Sequence, residues 1–584
     1  MEGQRLINQI IDSAERIGTV GSPSSTKELS LDILGVAVEK KLVGELAFFK
    51  YIQDNMDHYA LGQITDVQLK NTWLEDPTIR SLARQRGTVN PISGIQDTHL
   101  GIMTLSAVFA NNKDGFEPSI LGTVPQTGTN IQLANDELIE TLLNKYQKEI
   151  FYLGNVYGSK PKLPMWFKHF DSGINGAGEA YHLGIFGKTG SGKSVLAKMI
   201  LTAYSKYEQM AILIIDPQGE FSKDFRMKKN SSDFVFPLKK IIEVQSKKHV
   251  VFSVKNLVLD RWELFEQILF ESLFFERLSI PKGENRELAC NILSDKLKKA
   301  KVKLKDLSKR ESFDKAWKIL KDDRVQVLFY RTEASRNRFN TVLNEADPDD
   351  FYTNYWIPLC ELFKEDRKDA RTIEKALEWL LNQEQESRPI LIIDLSKEQV
   401  GDIFWNDKVQ ALVIKRLLSG LTNISEHFYK GGQNLNTLVI IDEAHRLAPR
   451  ETPQDDVEKG VRAVLVDAAR TTRKYGLGWL FISQTLSSLH REIISQLRIN
   501  FFGFGLSMGT EFMALKEIAG GDQNALKLYQ TFRDPHSAFD TKSRQYSFMT
   551  IGPVSPLSFA GTPLFFTAFN NVNSFLEANS IKLK

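Results

Sequence analysis

The sequence predicts an α/β protein built on a doubly wound parallel sheet, with a small β-domain before the sheet and a helical insert within it. Several segments are apolar at every position and end in a polar residue, which is typical of parallel strands buried on both faces. Segments with helical spacing alternate with these strands. Before them, short strand-like segments separated by glycines and polar turns predict a small barrel or sandwich.

Length and composition indicate an ordinary globular protein. The chain has 584 residues, of which 42% are hydrophobic and 25% charged, and its net charge is +3. This length predicts two or three domains, and the low net charge confines any nucleic-acid site to a local patch. Cys290 and Cys360 lie far apart without metal-site spacing, so we expect reduced thiols. No apolar run is as long as a membrane span and no secretory leader is recognisable, so we expect a cytoplasmic protein without membrane contact.

Changes in composition and hydrophobic pattern along the chain predict seven segments. A Gly-Ser-Pro-Ser-Ser-Thr stretch at 21–26 indicates a flexible start, a Gly- and Pro-rich stretch at 153–177 indicates a linker, and aromatic residues at 563–569 indicate a tail docked on the core. The predicted segments are a flexible lead-in at 1–30, a β-barrel at 31–135, a linker at 136–178, the first part of the α/β core at 179–256, a helical insert at 257–385, the second part of the core at 386–542 and a docked tail at 543–584.

Five segments are predicted as central strands of the sheet. Polar residues cluster where these strands end, which is the edge at which open parallel sheets bind ligands. The five segments are 182–186, 211–216, 389–394, 437–442 and 479–484.

The first of these strands is followed by a glycine-rich loop. Residues 187–194 read Gly-Lys-Thr-Gly-Ser-Gly-Lys-Ser and lead into a predicted helix. They match the G-x-x-x-x-G-K-[ST] loop that wraps a triphosphate, in which glycines let backbone N–H groups converge on phosphate oxygens and the helix adds its positive dipole. The alternative is a chance glycine-rich turn. The candidate nucleotide-binding residues are Gly187, Lys188, Thr189, Gly190, Ser191, Gly192, Lys193, Ser194 and Val195.

Four residues are candidates for the chemistry of hydrolysis. Lys193 would reach the β- and γ-phosphates, and Ser194 would bind Mg²⁺. Asp442 and Glu443 end another predicted strand. We expect Asp442 to hold the Mg²⁺ shell, mostly through water, and Glu443 to polarise the attacking water. The alternative is a buried strand that ends in two solvated acids.

Other polar residues lie at neighbouring strand ends. The amide of Gln484 can hydrogen-bond both the γ-phosphate and the attacking water and so report hydrolysis to the segment that follows, unless it is an ordinary polar strand end. His445 is interpreted as structural or as a link between the site and DNA. Asp216 and Glu220 either tune the site or form hydrogen bonds around it.

Two arginines are candidates for action on a neighbouring subunit. Arg470 and Arg473 are three residues apart on one predicted helix and therefore share a face. An arginine inserted into a neighbour's site would neutralise transition-state charge, an effect worth about 10³ to 10⁵ in rate. Arg473 is our first choice, although the pattern does not separate the two. The alternative is surface salt bridging.

The predicted insert carries two basic clusters, at 296–310 and 331–338. Such a cluster is either a solvated helix face or a contact with the DNA backbone or with a partner.

Together, the motifs resemble those of the HerA ATPases in the HerA/FtsK group, which are hexameric motors that pump double-stranded DNA. The resemblance covers most of the chain, and the combination of motifs is far more specific than the phosphate loop alone. One departure is Thr-Thr-Arg-Lys at 471–474, where the family usually has Glu-Gly-Arg-Lys. The matching segments are 61–67 in the region of the family's HAS barrel, 187–194, 215–221, 393–396, 441–445, 469–476 and 482–484.

The resemblance implies a RecA-like P-loop NTPase core with an N-terminal HAS barrel and a helical insert. It further implies an ATPase that uses ATP and Mg²⁺ and assembles as a homo-hexamer, with each site between subunits and completed by the neighbour's arginine. Double-stranded DNA would thread the pore without sequence specificity. A partner is also implied, docked on the barrel: a NurA-like nuclease in DNA repair, or a nuclease or sirtuin-like NAD-hydrolysing effector encoded alongside in antiviral defence.

Three functions are compatible with these motifs. The first is an ATP-dependent DNA translocase or helicase that serves a nuclease or a defence effector. The second is the coupling or assembly ATPase of a secretion or conjugation system. The third is a ring that scaffolds an effector and uses ATP hydrolysis as a switch. The ATPase of a motor should rise strongly with duplex DNA, whereas that of a scaffold need not.

Overall fold

Seven antiparallel strands form a β-domain at the N-terminal end of the computed structural model, which describes residues 2–86, 96–112, 115–173, 176–226, 236–540, 543–558 and 561–583. The strands are β1 (Arg16–Val20), β2 (Glu28–Ile33), β3 (Leu46–Gln53), β4 (Met56–Lys70), β5 (Thr98–Asn112), β6 (Gly115–Ser119) and β7 (Asn130–Leu133). Their order is β2-β1-β7-β3-β4-β5-β6, and β5 also pairs with β2. This extra pairing closes six strands into a barrel, with β6 outside, and so confirms the predicted small barrel.

The barrel has an apolar interior and an apolar outer face. Along β3, Ala47 and Phe49 belong to the cluster inside the barrel, whereas Leu46 and Phe48 belong to a larger cluster shared with the rest of the protein. Successive residues of a strand point to opposite faces, so one strand serves both clusters. The barrel is therefore packed against its neighbour on one side.

The first thirty residues differ from the predicted flexible lead-in. They contain a helix, strand β1 and the beginning of β2, and the side chains of Ile7 and Ile10 on that helix are buried. Ile7 and Ile10 are three residues apart and so share one helix face, which packs with Leu138 and Ile139 in the larger cluster. The helices of this region are α1 (Glu2–Ser13), α2 (Thr72–Glu75), α3 (Pro77–Arg86) and α4 (Asp136–Leu142).

The second large unit is built on an eleven-stranded sheet. The remaining strands are β8 (Ile150–Val156), β9 (Lys162–Trp166), β10 (His182–Phe186), β11 (Ala211–Asp216), β12 (His249–Ser253), β13 (Leu257–Val258), β14 (Arg371–Thr372), β15 (Ile390–Asp394), β16 (Thr437–Ile441), β17 (Leu477–Ser483), β18 (Leu497–Gly503), β19 (Tyr546–Ile551) and β20 (Leu564–Ala568). All except the β13–β14 pair join the sheet, in the order β12-β15-β11-β16-β17-β10-β18-β19-β20-β8-β9. The seven strands from β12 to β18 in this order are parallel, and the other four are antiparallel.

The parallel strands are buried on both faces, which confirms the predicted α/β core. On β11, Leu213 and Ile215 belong to one apolar cluster, and Ile212 and Ile214 belong to the other. The five central strands predicted from their apolar runs are β10, β11, β15, β16 and β17. Because these strands are parallel, their C-terminal ends meet at one edge of the sheet.

Two predicted segments differ from the structure at the antiparallel end of this sheet. Residues 136–178 were expected to be a linker but contain α4, β8 and β9, and residues 543–584 were expected to be a docked tail but contribute β19 and β20. Gly154 on β8 faces Thr567 so closely that a Cβ there would collide with the Thr567 carbonyl. The glycine thus permits a close approach of two strands instead of marking a flexible chain.

Helices flank the sheet and fill the insert between β12 and β15. They are α5 (Lys193–Ser205), α6 (Ser222–Arg226), α7 (Leu238–Val244), α8 (Trp262–Glu271), α9 (Phe274–Arg277), α10 (Glu284–Lys299), α11 (Arg310–Leu320), α12 (Asp323–Phe329), α13 (Glu333–Glu345), α14 (Pro348–Phe351), α15 (Ile357–Cys360), α16 (Ile373–Leu381), α17 (Asp407–Lys430), α18 (Ala444–Leu447), α19 (Asp456–Thr471), α20 (Arg491–Gln496), α21 (Gly509–Ile518), α22 (Gln523–Gln530) and α23 (Val572–Ala578). Helices α8 to α16 form the insert.

The insert shares its apolar core with the sheet. Phe265, Phe274 and Phe313 pack around the buried Trp356 with ring centroids 5.5–6.0 Å apart. All four belong to the cluster that also contains Leu213 and Ile215 of β11. The insert is therefore continuous with the core.

Half of the first basic cluster is engaged in ion pairs with acidic residues of the insert region. Lys298 pairs with Glu266 at 3.1 Å and Lys309 with Asp306 at 2.7 Å. Lys305 pairs with Glu365 and Arg310 with Asp314. These local pairs favour the solvated-face interpretation for this cluster.

A buried glutamine joins the barrel to the core. Gln63 on β4 donates from Nε2 to the carbonyls of Gly44 at 3.0 Å and Phe565 at 3.1 Å, and its Oε1 accepts from the Phe565 N–H at 2.9 Å. At the surface, Lys527 on α22 pairs with Asp66 of the barrel at 3.5 Å. The barrel is thus fixed to the same C-terminal strands that extend the core sheet.

Within the described residues, no helix is both long and apolar enough to cross a membrane. The two cysteines are free and buried in the insert.

Candidate active site

The phosphate-loop candidate lies between β10 and α5, at the C-terminal edge of the sheet. Gly190 and Gly192 have φ angles of +81° and +90°, which residues with a Cβ adopt reluctantly. A Cβ at Gly192 would also lie 2.8 Å from Cδ1 of Tyr546, and one at Gly190 would collide with the ring of His536. Both the backbone angle and the space therefore require glycine at these two positions.

Lys193, the first residue of α5, lies folded back over the loop. Its ammonium donates to the Lys188 carbonyl at 3.0 Å, and its side chain is largely buried. Burial lowers the pKa of Lys193, whereas the carboxylates of Glu443 and Asp442 act in the opposite direction. An anion bound in the loop would favour the charged ammonium, so the surroundings of Lys193 fit a polyphosphate.

Asp442 follows β16 and lines the same cleft as Ser194. Burial, and next the neighbouring Glu443 carboxylate, raise the pKa of Asp442 to about 7. A buried carboxylate beside a second carboxylate and a hydroxyl is a set of hard oxygen donors, which suits Mg²⁺. The residues present therefore fit the expected cation, with Ser194 and Asp442 as the candidates that would hold it.

Glu443, Gln484 and Thr189 form a chain of hydrogen bonds across three elements. Gln484 Nε2 donates to Glu443 Oε1 at 2.8 Å, and the Thr189 hydroxyl donates to Gln484 Oε1 at 3.1 Å. These hydrogen bonds join the end of β16, the end of β17 and the phosphate loop. Glu443 itself has a φ of +54°, which is uncommon for a residue with a side chain and is often found at functional sites. The candidate base and the candidate sensor are thus in direct contact.

His445 lies beside the hydrogen bonds that join Glu443, Gln484 and Thr189. Its Nδ1 shares a hydrogen bond of 3.2 Å with the Ser483 hydroxyl, and its Nε2 is 3.6 Å from Glu443 Oε2. Burial lowers the pKa of His445. The ring bridges two strand ends, which favours the structural interpretation of this histidine.

The two upstream acids have different positions. The carboxylate of Asp216 accepts backbone hydrogen bonds from Glu220, Phe221 and Ser222 at 2.8–3.0 Å, so it shapes the turn after β11. Glu220 instead lines the cleft with Asp442 and Glu443. Asp216 is therefore a supporting residue, and Glu220 is the one exposed to a ligand in the cleft.

Arg470 and Arg473 lie outside this cleft, at the opposite end of β10. The helix that carries Arg470 is held there because His182 Nε2 hydrogen-bonds the Ala469 carbonyl at 2.7 Å. The five residues of β10 span about 16 Å between that point and the phosphate loop. Both arginines are more than half exposed, and their carboxylate neighbours are Glu492 at 3.7 Å and Glu179 at 3.9 Å. The structure therefore does not bring them to the site of their own chain.

Residues from the C-terminal part of the chain complete the cleft, which has a volume of about 420 Å³. His536, Arg544, Tyr546 and Phe569 all line it. The sequence analysis did not identify these four residues, since no motif marks them. They reach the loop only because β19 and β20 join the sheet next to β18.

Of the predicted nucleotide-binding residues, six line the cleft directly and three support the loop. The carbonyl of Lys188 accepts the hydrogen bond from the Lys193 ammonium. Gly187 and Ser191 are buried on the inner side of the loop, next to Gly503. The six lining residues are Thr189, Gly190, Gly192, Lys193, Ser194 and Val195.

Residues 180–420 match the model of a protein family described as the central domain of helicase HerA. The matched span starts just before β10, includes the phosphate loop and the insert, and ends within α17. Asp442, Glu443 and Gln484 lie beyond it.

Several solved structures are similar to this chain. VirB4 of Thermoanaerobacter pseudethanolicus is 14% identical, with 72% of this chain and 96% of that protein covered and a TM-score of 0.37. The bacterial conjugative coupling protein TrwBdeltaN70 is 14% identical, with coverage of 75% and 92% and a TM-score of 0.38. The genome packaging NTPase B204 from Sulfolobus turreted icosahedral virus 2, in complex with ATP-gammaS, is 11% identical, with coverage of 66% and 96% and a TM-score of 0.26. No curated protein matches the chain by sequence.

Proposed function

We propose that this chain, whose residues 180–420 are a central domain of the HerA helicase family, is an ATP-hydrolysing motor that forms a ring and moves along double-stranded DNA. The observation that carries the proposal is the hydrogen-bond chain from Glu443 through Gln484 to Thr189. It links a candidate general base to the loop that would hold the γ-phosphate. A site that only binds nucleotide has no need of this connection.

Hydrolysis is assigned to residues of the cleft. Lys193 balances the charge of the β- and γ-phosphates from the loop. Glu443 orients and polarises the attacking water once its carboxylate exchanges the Gln484 amide for that water. Gln484 then contacts the γ-phosphate and the water together, so its position depends on whether the phosphate is present. Ser194, and Asp442 through water, would hold Mg²⁺, which would supply additional positive charge to the phosphates.

A ring accounts for the position of the arginines. Arg470 and Arg473 are exposed at the end of β10 opposite the cleft, so the cleft that they would enter belongs to an adjacent copy of the chain. Copies arranged head to tail would place the arginines of one subunit against the phosphate loop of the next, and such heterologous contacts close into a ring. We propose a homo-hexamer of this kind, with Arg473 as the residue that acts in trans.

The substrate and the partner are proposed from the resemblance to the HerA family. Double-stranded DNA passing through the ring would be held by its backbone, without sequence specificity. We propose that cutting or signalling would come from a partner on the barrel, either a NurA-like nuclease or a sirtuin-like NAD-hydrolysing effector. DNA repair and antiviral defence are the two settings in which such a motor would serve.

The proposal is tested by steady-state ATP hydrolysis with and without linear duplex DNA, on protein whose oligomeric mass is measured in the same buffer. We expect a hexamer whose turnover rises several-fold with duplex DNA, and a Glu443→Gln variant that stays inactive in both conditions. A hexamer whose turnover is the same with and without DNA, also in the presence of its partner, would contradict the motor and favour an ATP-switched scaffold ring.

A further inference from the structure

We propose that the C-terminal segment of this chain forms the base-side half of the nucleotide site in cis, with Tyr546 and Phe569 binding the nucleobase and Arg544 binding the phosphate chain. This inference rests on the proposed function, because it names further contacts for the same nucleotide. It assigns a binding role to residues outside both the phosphate loop and the strands that carry Asp442, Glu443 and Gln484.

An aromatic wall lies next to the phosphate loop. Tyr546 on β19 pairs directly with Ala568 on β20, and Phe569 follows Ala568, so the three residues are neighbours at one end of these strands. All three line the cleft together with Ser194 and Val195 at the start of α5. A nucleotide whose phosphates occupy the loop must place its base further along the cleft. Aromatic faces bind nucleobases by stacking, and this tolerates any base.

Tyr546 is also fixed relative to the loop. The Cα of Gly192 approaches the tyrosine ring so closely that an added Cβ would lie 2.8 Å from Cδ1 and 3.0 Å from Cγ. The neighbouring residues 547–551 are buried. The ring is therefore held at the rim of the loop by the β19 backbone, and no rearrangement is needed to bring it there.

The guanidinium of Arg544 has the properties of an anion-binding group. Its Nε is shielded from solvent yet has no hydrogen-bond partner among the described residues, and none of the ion pairs found within them involves its guanidinium. A buried N–H group without a partner is unfavourable, and a guanidinium matches phosphate geometry especially well. Arg544 lines the cleft with Ser194 and Tyr546, so a phosphate oxygen there would supply the missing acceptor.

A further contact ties the same segment to the other end of the loop. The ring of His536 lies against Gly190, where an added Cβ would collide with it. Residues between 536 and 569 thus meet the loop at Gly190 and at Gly192. The loop and the C-terminal segment form one binding surface within a single chain, whereas Arg473 reaches a site only from a neighbouring copy.

The test compares ATPγS, which carries a base and a ribose, with inorganic tripolyphosphate, which carries neither. Calorimetric titration of the Glu443→Gln protein with ATPγS and with inorganic tripolyphosphate, both with Mg²⁺, measures the two halves of the site separately. We expect Tyr546→Ala to weaken ATPγS binding about tenfold without changing tripolyphosphate binding, as a lost stacking contact predicts, and Tyr546→Phe to bind ATPγS nearly normally. Arg544→Ala should weaken both ligands. Arg533→Ala, an exposed arginine of the same segment that does not line the cleft, should change neither.

Two results would overturn the inference: Tyr546→Ala binding ATPγS as tightly as the parent protein, or Tyr546→Ala and Tyr546→Phe weakening both ligands equally. Unfolding midpoints of the variants identify any that fail to fold, and Phe569→Ala then provides an independent test of the same wall. Lys193→Ala separates this inference from the proposed function. If Lys193→Ala binds both ligands normally, the phosphate loop itself is misassigned. If Lys193→Ala loses binding but Tyr546→Ala and Phe569→Ala do not, the loop assignment stands and the proposed role of the C-terminal segment is wrong.

Discussion

The side-chain amide of Gln484 donates a 2.8 Å hydrogen bond to the carboxylate of Glu443. The proposed general base is therefore engaged by the proposed sensor through one of its two carboxylate oxygens, Oε1. Thr189 of the phosphate loop holds the other side of the same amide at 3.1 Å. One side chain thus connects occupancy of the loop to the availability of the base.

Gln484→Ala removes this connection. We expect kcat for ATP to fall about tenfold or more while ATPγS affinity stays close to that of the parent, because the phosphate loop holds the phosphate chain and the main effect of the amide is on the attacking water. Any stimulation by duplex DNA should also disappear. Gln530→Ala, which replaces an exposed glutamine at the end of α22, serves as the control and should keep both properties. Unchanged kcat in Gln484→Ala would show that the amide is an ordinary strand end.

Lys193→Ala and Glu443→Gln should fail in different ways. In Lys193→Ala, loss of the lysine ammonium from the phosphate loop should weaken nucleotide binding itself. Glu443→Gln should retain binding and trap the ATP-bound state, with turnover at least about 100-fold lower. Glutamine has nearly the same shape as glutamate, but it cannot act as the general base. Rapid filtration with radiolabelled ATP distinguishes the two. Near-normal turnover in Glu443→Gln would remove Glu443 from its role, and Glu451→Gln provides a matched exposed control.

Arg473→Ala should abolish ATP turnover at the site of the neighbouring subunit. In rings mixed with Lys193→Ala subunits, which have a dead loop but an intact arginine, activity should return as the two proteins are combined in increasing proportion. The same experiment with Arg470→Ala identifies which arginine acts, since both are exposed and distant from their own loop. Failure of every mixed ring to recover turnover would argue against action in trans.

Gln63→Ala should loosen the barrel from the core. The buried amide serves both the N–H and the carbonyl of Phe565 as well as the Gly44 carbonyl, and leaving such groups without partners costs about 2 kcal/mol or more. We expect a lower unfolding midpoint by calorimetry and earlier proteolysis between barrel and core. Gln126→Ala, which replaces an exposed glutamine of the barrel region, should leave the midpoint within error. Equal midpoints for the two variants would refute this role for Gln63.

His182 should make stability fall in acid. Burial lowers its pKa to about 4, with Arg473 acting in the same direction and the Ala469 carbonyl opposing, whereas the unfolded chain titrates near 6.5. The unfolded state therefore binds more protons between these values, and stability falls as the pH drops through 6.5 towards 4, by about 2 kcal/mol at pH 5. The unfolding midpoint measured from pH 7.5 to 5 should decrease less in His182→Asn than in the parent. An equal decrease in both proteins would contradict the assignment.

Prediction from sequence succeeded where the structure is encoded by neighbouring residues. The apolar run at 211–216 predicts a buried central strand because burial on both faces excludes polar residues throughout, and β11 has these bounds. The loop at 187–194 is recognisable for a similar reason, since wrapping a phosphate chain requires closely spaced glycines. The closure of the barrel and its position beside the core also agree with the predicted N-terminal domain.

The failures concern contacts between distant parts of the chain. Tyr546 reaches the loop only because β18 and β19 pair across more than forty intervening residues, and no local pattern encodes that pairing. The stretch at 153–177 was interpreted as a linker because of its glycines and prolines, yet Gly154 permits close strand packing against Thr567. Arg470 and Arg473 lie at the end of β10 opposite the phosphate loop because the helix that carries Arg470 packs against His182, and no local motif encodes that packing.

Displacement of a triplex-forming oligonucleotide from linear duplex DNA tests directly whether the protein moves along DNA. A motor that moves along the duplex strips the third strand in an ATP-dependent manner, whatever the sequence between its loading end and the triplex. We predict displacement by the parent hexamer with ATP, together with the partner if loading requires it, and none by Glu443→Gln. Hydrolysis of ATP at full rate on duplex DNA without displacement of the third strand would contradict the motor.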